Sequence, residues 1–279
     1  MTLDLGLALE SEDPRLAPFF VLRGAAPPAP APTFVVEGAL PTARLLADGS
    51  ARGFRARALV CTPTHRARLE DAGLLPPDLP VFEGSRAQLA TLAGFDFHRG
   101  VLACADVPEV LRGGPGGALS PPALDALRAR PRLTVVVASG LADPRNLGAV
   151  IRNAAAFDVD LVVIDAKGAD PLSRLAIRAS VGNVFRVPMI RSADLDASIK
   201  ELRTELPATV IASTPSASTE LRAYARPRRV LLMVGNEGQG LSASQLEHAD
   251  QRLRIAVAPG SDSVNVAAAT AILLHALSV

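Results

Sequence analysis

The chain has 279 residues, of which 49% are apolar and 20% charged, and its formal net charge is +1. This balance is typical of a folded soluble protein with room for one large domain or two ordinary ones. Because the charges nearly cancel, a basic surface for nucleic acid would have to be local. Arginine outnumbers lysine, which indicates either phosphate recognition or a GC-rich genome.

The cysteines and histidines do not form a metal-binding pattern. Cys61 and Cys104 each lie alone in an apolar run, and the four histidines lack ligand spacing. We therefore expect neither a metal site nor a disulfide framework. The first residues lack a basic segment before an apolar core, and no apolar run is long enough to cross a bilayer. These features predict a cytoplasmic protein without a membrane partner.

Short strands and helices alternate through the first hundred residues, as judged from apolar periodicity and from glycine stops. The predicted strands are 19–23, 33–38, 56–63, 79–84 and 100–106, and the predicted helices are 39–49, 64–74 and 85–94. A Pro-rich stretch, 25–32, is expected to be a stiff surface loop. The pattern predicts a compact α/β domain over residues 1–106.

A Gly- and Pro-rich segment, 107–122, is typical of a flexible linker. We place the domain boundary there, so that residues 123–279 form the second domain.

The second half alternates strands and helices at steady spacing. The predicted strands are 133–139, 160–165, 183–190, 209–214, 229–236 and 252–258. The predicted helices are 147–157, 171–180, 194–206, 242–250 and a last apolar helix that ends the chain. Ser242 and Gln245 have the spacing of a capping box. Repeated βα units predict a doubly wound parallel sheet with ligands at the carboxyl ends of its strands.

The first polar segment of the second half follows a buried strand and leads into a helix. Asp143 or Asn146 could cap that helix. A cap does not explain Arg152, which is surrounded by apolar residues. An arginine there is costly unless it faces an anion or solvent.

The second polar segment contains Gly235, Glu237, Gly238 and Gly240 directly after a strand. The glycine spacing is not that of a dinucleotide or P-loop site. The segment is either an ordinary connection with a solvated Glu237 or a place where backbone approaches a ligand closely.

The third polar segment introduces the last helix. A tight turn is expected at Pro259 and Gly260, followed by Ser263 and Asn265 at the helix entrance. These two residues either cap the helix or hold a ligand, because polar groups at a buried helix start need partners.

In this order and at this spacing, the three segments resemble the three motifs of the SpoU (TrmH) family of RNA ribose 2′-O-methyltransferases. Here they read DPRNLGAVIRNAAAF, VGNEGQGLS and IAVAPGSDSVNVAAATAILL. The resemblance covers the whole second half. The first half is similar, more loosely, to the RNA substrate-binding domain of many members, which is like small ribosomal RNA-binding proteins, through VVEG and FDFHRGVLA.

The resemblance implies a parallel sheet with a deep trefoil knot, S-adenosylmethionine bound in the knot, and a homodimer packed through knot-region helices. It also implies that Arg152 sits beside the ribose hydroxyl, often as a residue of the opposite protomer. The other members of the implied catalytic set are Asn146, Glu237, Ser263 and Asn265.

The implied cofactor pocket is lined mainly by backbone, at Thr214, Gly235, Ile255 and Val264. Val264 stands where leucine is more usual in the family, and Ala267 where serine is common. Every polar residue of the catalytic set is nevertheless present, which favours an active enzyme.

We therefore expect S-adenosylmethionine-dependent methyl transfer to a ribose 2′-hydroxyl of RNA. Ribosomal RNA of the 23S type is favoured, because the added N-terminal domain is commoner among rRNA-modifying members. DNA is excluded as a substrate because it has no 2′-hydroxyl. The alternatives are a tRNA substrate, methylation of a base instead of ribose, and a non-catalytic RNA-binding or ribosome-assembly protein that keeps the fold.

Overall fold

The computed structural model describes residues 2–24, 32–113, 119–258, 260–261 and 263–278. Most of the Pro-rich stretch, the glycine-rich centre of the predicted linker and Pro259 of the predicted turn lie outside these residues. The chain divides into two compact units. The first is Met1–Pro108 with Leu172–Arg186, and the second is Glu109–Pro171 with Val187–Val279.

The first unit is built on a five-stranded sheet. Its strands are β1 (Thr2–Asp4), β2 (Thr33–Glu37), β3 (Arg55–Cys61), β4 (Val81–Glu83) and β5 (Val101–Asp106). They lie in the order β1-β4-β3-β5-β2, parallel from β1 to β3 and antiparallel from β3 to β2. Its helices include α1 (Leu5–Glu10), α2 (Ala39–Asp48), α3 (Pro63–Asp71) and α4 (Arg86–Ala93).

The second unit is built on a seven-stranded sheet whose neighbouring strands are all parallel. Its strands are β6 (Leu133–Ala138), β7 (Leu161–Asp165), β8 (Met189–Ser192), β9 (Thr209–Ser213), β10 (Thr219–Glu220), β11 (Arg229–Val234) and β12 (Gln251–Arg254). The order is β10-β12-β9-β11-β6-β7-β8. The predicted parallel α/β sheet is therefore confirmed.

The remaining helices are α5 (Pro121–Arg128), α6 (Pro144–Ala156), α7 (Arg174–Ala179), α8 (Leu195–Glu205), α9 (Ala243–Glu247) and α10 (Val266–Ser278). Five of them follow strands of the second half, as the alternation predicts, whereas α5 precedes β6, was not predicted and begins inside the predicted linker. Ser242 and Gln245 form both halves of the predicted capping box at the start of α9. No helix in the described part of the chain is both long enough and apolar enough to span a bilayer.

The predicted strand 19–23 is wrong, because the segment Pro14–Arg23 is a 3-10 helix. Asp13 caps it by accepting a hydrogen bond from the backbone of Arg15 at 2.9 Å. Leu16 and Phe19 are both fully buried. Their spacing of three matches the period of a 3-10 helix, so the apolar run buries one face without pairing in a sheet.

Two predicted strands of the second half have the wrong bounds. The strand predicted at 183–190 begins only at Met189, because Asn183–Phe185 is a 3-10 turn. The strand predicted at 252–258 ends at Arg254. Both neighbours of β12 end at the same level, so no edge remains for the next residues to pair with.

The last helix is only half-buried, whereas its composition predicts full burial. Thr270, Leu273, Leu274 and Leu277 of α10 are buried. Ile272 is 42% exposed and lies on a face that contacts water in the single chain.

The segment Leu172–Arg186 belongs to the first unit although its sequence lies between two strands of the second. Its Phe185 is fully buried and forms an edge contact with Phe54 and a stacked contact with Phe34. Three phenylalanine rings thus make a small aromatic core, and such pairs stabilise beyond the area they bury.

Replacing Phe185 by alanine should lower the free energy of unfolding by about 3–5 kcal/mol, because it leaves a cavity between two aromatic rings. Urea denaturation followed by circular dichroism measures the change. Leu7→Ala is the control, since Leu7 is 67% exposed and its loss should cost less than about 0.5 kcal/mol. Equal effects of the two substitutions would contradict the packing described.

Candidate active site

Four neighbouring strands of the second unit end at the same edge of the sheet. They are β12, β9, β11 and β6, and parallel pairing places Leu253 beside Ser213 and Val234 beside Ala138. The three polar segments follow these strands or begin the helices after them. The carboxyl edge of a parallel sheet is where α/β proteins bind ligands.

Asp143 rather than Asn146 caps α6. Its carboxylate accepts a hydrogen bond from the backbone of Arg145 at 2.8 Å. The Arg145 guanidinium also donates to it, at 2.9 Å, and these hydrogen bonds hold the pKa of Asp143 below its ordinary value. The side chain of Asn146 is therefore not needed as a cap.

Asn146 instead links the second and third polar segments. Its side-chain nitrogen donates to the Glu237 carboxylate at 2.6 Å, and its side-chain oxygen accepts from the Asn265 nitrogen at 3.0 Å. One carboxamide thus joins residues that are 91 and 119 positions away in the sequence. We call the chain Asn265–Asn146–Glu237 the amide relay.

Asn265 also caps α10. Its side-chain oxygen accepts from the backbone of Ala267, and its carbonyl accepts from Ala269, both at 2.8 Å. Ser263 is exposed and forms no hydrogen bond with another described residue. The capping role considered for Ser263 therefore belongs to Asn265, which serves the cap and the relay at once.

The loop after β11 closes on itself. Asn236 donates to the carbonyl of Gly140 at 2.7 Å, and its side-chain oxygen accepts from the backbone of Gly238 at 2.8 Å. A Cβ at Gly235 would overlap the carbonyl carbon of Gly240 and lie 2.5 Å from the nitrogen of Leu241. Only glycine therefore fits at position 235, because a side chain there would clash with backbone of the same loop.

Arg152 is exposed and has no hydrogen-bond or ion-pair partner among the described residues. It lies six residues after Asn146 on α6, and a helix of 3.6 residues per turn places the two side chains about 120° apart. The described chain therefore does not bring Arg152 into the amide relay.

Three of the four residues assigned to a cofactor pocket lie along one edge of the sheet. Thr214, Gly235 and Ile255 directly follow β9, β11 and β12, which are neighbours in the sheet. Val264 precedes α10 and is 37% exposed. Three adjacent strand ends with small or apolar residues are a suitable floor for a flat organic ligand.

Two residues that organise the site are not among the predicted ones. Asn236 orders the glycine loop, and Asn153 donates from α6 to the carbonyl of Ala267 at 2.7 Å. Asparagine among glycines favours a turn, so the role of Asn236 in ordering the loop could have been predicted from the sequence. Asn153 lies two turns after Asn146, but spacing alone does not name its partner.

Residues 133–275 match the SpoU rRNA Methylase family. A relative, an uncharacterized tRNA/rRNA methyltransferase of Mycobacterium tuberculosis (strain ATCC 25618 / H37Rv), is 37% identical over 81% of this chain and 75% of its own length. The 23S rRNA (guanosine-2′-O-)-methyltransferase RlmB of Haemophilus ducreyi is 29% identical over 50% of this chain and 57% of its own. A solved structure, the AdoMet-bound rRNA methyltransferase of Sinorhizobium meliloti, aligns with a TM-score of 0.71 at 22% identity over 99% of this chain and 97% of that one.

The parallel sheet with polar loops at its carboxyl edge is the arrangement in which α/β proteins bind ligands. The matched range and the 37% identity then show that the chain belongs to the SpoU rRNA methylase family of RNA methyltransferases.

Substituting Gly235 by alanine should lower the free energy of unfolding by about 1–3 kcal/mol, because the new methyl group must displace backbone. Thermal unfolding monitored by circular dichroism measures this. Gly238→Ala is the matched control, since a Cβ there would meet only the Asn236 side-chain oxygen, at 3.4 Å. A Gly235→Ala protein as stable as Gly238→Ala would show that the loop does not close as described.

Proposed function

We propose that this protein transfers a methyl group from S-adenosylmethionine to a ribose 2′-hydroxyl of ribosomal RNA. The observation that carries the proposal is the amide relay, which joins the three family motifs at one place in the fold. The relay brings polar residues of all three motifs together at the edge of the sheet where α/β proteins bind ligands, which is where an enzyme of this family would need them. The relay therefore favours the enzyme over a non-catalytic RNA-binding protein.

S-adenosylmethionine supplies an activated methyl group on a sulfonium centre. Thr214, Gly235 and Ile255 would hold it through backbone groups at three adjacent strand ends, with Val264 against its apolar parts. The same fold carries AdoMet in the Sinorhizobium meliloti protein. Strand ends of this kind are the usual ligand edge of a parallel sheet.

Ribose is favoured over a base as the methyl acceptor. The Haemophilus ducreyi relative is named for guanosine 2′-O-methylation of 23S rRNA, and the three-motif pattern resembles the ribose-modifying family. Only RNA offers the 2′-hydroxyl. Ribosomal RNA is favoured over tRNA because the family and that relative both carry rRNA in their names.

Arg152 positions the RNA rather than acting as a base. Free arginine holds its proton above a pH of about 12, so it does not accept the hydroxyl proton. Its guanidinium instead binds the phosphate next to the target ribose and polarises the 2′-hydroxyl, whose proton passes to phosphate or water. Alignment of the hydroxyl is the main contribution that the protein must make.

The remaining polar residues orient the site. Asn265 fixes the start of α10, Asn146 joins it to the glycine loop, and Glu237 accepts the final hydrogen bond of the relay. Ser263 is exposed at the same entrance and contributes a hydroxyl toward the substrate. These residues keep the loops at the spacing that an in-line transfer needs.

The enzyme works as a homodimer with composite sites. Ala268, Ile272 and Ala276 form an exposed apolar stripe along α10, one helical turn apart. Such a stripe on a single chain indicates a partner surface. Arg152 faces away from the relay of its own chain, so it serves the site of the opposite protomer. α10 packs against α6, and the proposed trefoil knot of the family would involve this C-terminal part of the chain.

Arg152→Ala should reduce methyl transfer about a hundredfold or more, because the 2′-hydroxyl is no longer aligned. Transfer of tritiated methyl to RNA measures the rate, and calorimetry with S-adenosylmethionine should show unchanged cofactor affinity. Arg228→Ala is the matched control: Arg228 is also exposed but directly precedes β11, at the opposite edge of the sheet. Near wild-type turnover by Arg152→Ala would remove Arg152 from the mechanism.

Mixing two inactive variants tests the composite site. Arg152→Ala and Asn146→Ala chains, unfolded and refolded together, should recover about one quarter of the wild-type sites, because half of the dimers are mixed and each has one intact site. Recovery of no activity would place Arg152 in the site of its own chain.

Ribose methylation itself is tested by nucleoside mass spectrometry of total RNA from cells with and without the gene. We expect one 2′-O-methylated nucleoside to disappear from ribosomal RNA when the gene is deleted. Loss of a base-methylated nucleoside would make the enzyme a base methyltransferase, and loss from tRNA would change the substrate. An unchanged profile in all RNA fractions would favour a non-catalytic protein.

A further inference from the structure

A cavity of about 320 Å³ opens in the first unit, at the carboxyl ends of the parallel neighbours β3 and β4. Thr62, Thr64, His65, Arg68, Ser85 and Arg86 supply its polar lining. Among the described residues that line it, none is acidic. A pocket of this size accommodates a group as large as a nucleotide.

The two arginines of the cavity are not compensated by neighbouring carboxylates. The nearby carboxylates of Glu70 and Glu83 instead form ion pairs with Arg66, which is on α3 with Arg68, at 2.7 Å each. Arg68 and Arg86 are exposed and form no ion pair with a described residue. The cavity therefore carries a net positive charge in a protein whose overall charge is close to zero.

His65 adds a neutral hydrogen-bond donor beside the arginines. Its Nδ1 lies 2.9 Å from the hydroxyl of Thr62, and its ring lies against the backbone of Gly100. Burial lowers the pKa of His65, and the charges of Arg68 and Arg86 lower it further. When the Thr62 hydroxyl donates to Nδ1, Nε2 keeps its proton and can donate to an oxygen of a ligand.

We propose that this cavity is an RNA phosphate site, in which Arg68 and Arg86 bind a backbone phosphate while His65, Thr64 and Ser85 contribute hydrogen bonds. The proposal rests on the proposed function, since it assumes that the substrate is RNA. It assigns one contact with that RNA to the cavity of the first unit.

The chemistry favours a phosphate over other anions. Arg68 and Arg86 come from two different helices, α3 and α4, and both line the cavity, so two guanidinium groups can share the oxygens of one phosphate. Hydroxyls and a neutral imidazole donor suit the remaining phosphate oxygens. Because the cavity is open and its two arginines are exposed, it can bind a phosphate that is part of an RNA strand. Such binding would not depend on the RNA sequence.

The test compares Arg68→Gln and Arg86→Gln with Arg55→Gln in the full-length protein. Arg55 is also an exposed arginine without an ion-pair partner among the described residues, and it begins β3, whereas the cavity lies where β3 ends. The three variants lose the same charge, so bulk electrostatics affect them equally. RNA affinity is measured by filter binding of an in vitro transcript of 23S rRNA over a range of salt concentrations.

Each cavity substitution should weaken RNA binding about tenfold, and each should reduce the slope of log K against log salt by about 1. Arg55→Gln should change affinity less than about twofold. With saturating RNA the cavity variants should methylate at the wild-type rate, so that KM for RNA rises while kcat does not. If the cavity variants bind like Arg55→Gln, or lose kcat instead of affinity, the assignment is overturned.

Inorganic phosphate distinguishes an RNA site from a site for a free anion. Calorimetry should show phosphate binding only at millimolar concentration, in competition with RNA. Micromolar phosphate binding that RNA does not displace would overturn the RNA assignment. Failure of the proposed function would look different: RNA binding would still depend on Arg68 and Arg86, but no methyl group would reach the RNA.

Discussion

A single carboxamide, that of Asn146, joins the three polar segments at the carboxyl edge of the second sheet. Asn146 must donate to Glu237 and accept from Asn265 at the same time, and only a primary amide of this length does both without charge. An aspartate there would face the Glu237 carboxylate with a like charge. An alanine would leave the exposed Glu237 carboxylate and Asn265 amide bonded to water instead of to Asn146. Asn146 thereby connects α6 to the glycine loop through Glu237 and to the start of α10 through Asn265. Asp143 makes the arrangement possible, because it caps α6 and leaves Asn146 free.

The sequence predicted the second sheet well for a physical reason. A parallel strand covered on both faces reads as a continuous apolar run, and the polar loops after it are then placed at the ligand edge without further information. Which polar side chain meets which could not be predicted, because a relay between Asn146 and Asn265 spans 119 residues and leaves no local pattern. The cap of α6 stayed open between Asp143 and Asn146 for the same reason: both are good cap residues, and only three-dimensional contacts separate their roles.

The local sequence pattern also does not determine the secondary structure of an apolar run that can be buried in more than one conformation. The segment Pro14–Arg23 buries Leu16 and Phe19 from a 3-10 helix, although the same residues suit a strand. Phe185 is apolar and follows a helix, as a strand residue would, yet it packs with Phe34 and Phe54 of the first unit. At both places the apolar run indicated a strand, whereas the structure buries the residues from a 3-10 segment.

The distance along the chain between Asn146 and Asn265 has a consequence for synthesis. At about 5–20 residues per second, the ribosome needs roughly 6–24 s to pass from one to the other, since 119 residues separate them. During that interval β6 and α6 already exist, but the cap of α10 does not. The third polar segment is therefore the last of the three to leave the ribosome, and the hydrogen bond between Asn265 and Asn146 forms only after the other two segments have emerged.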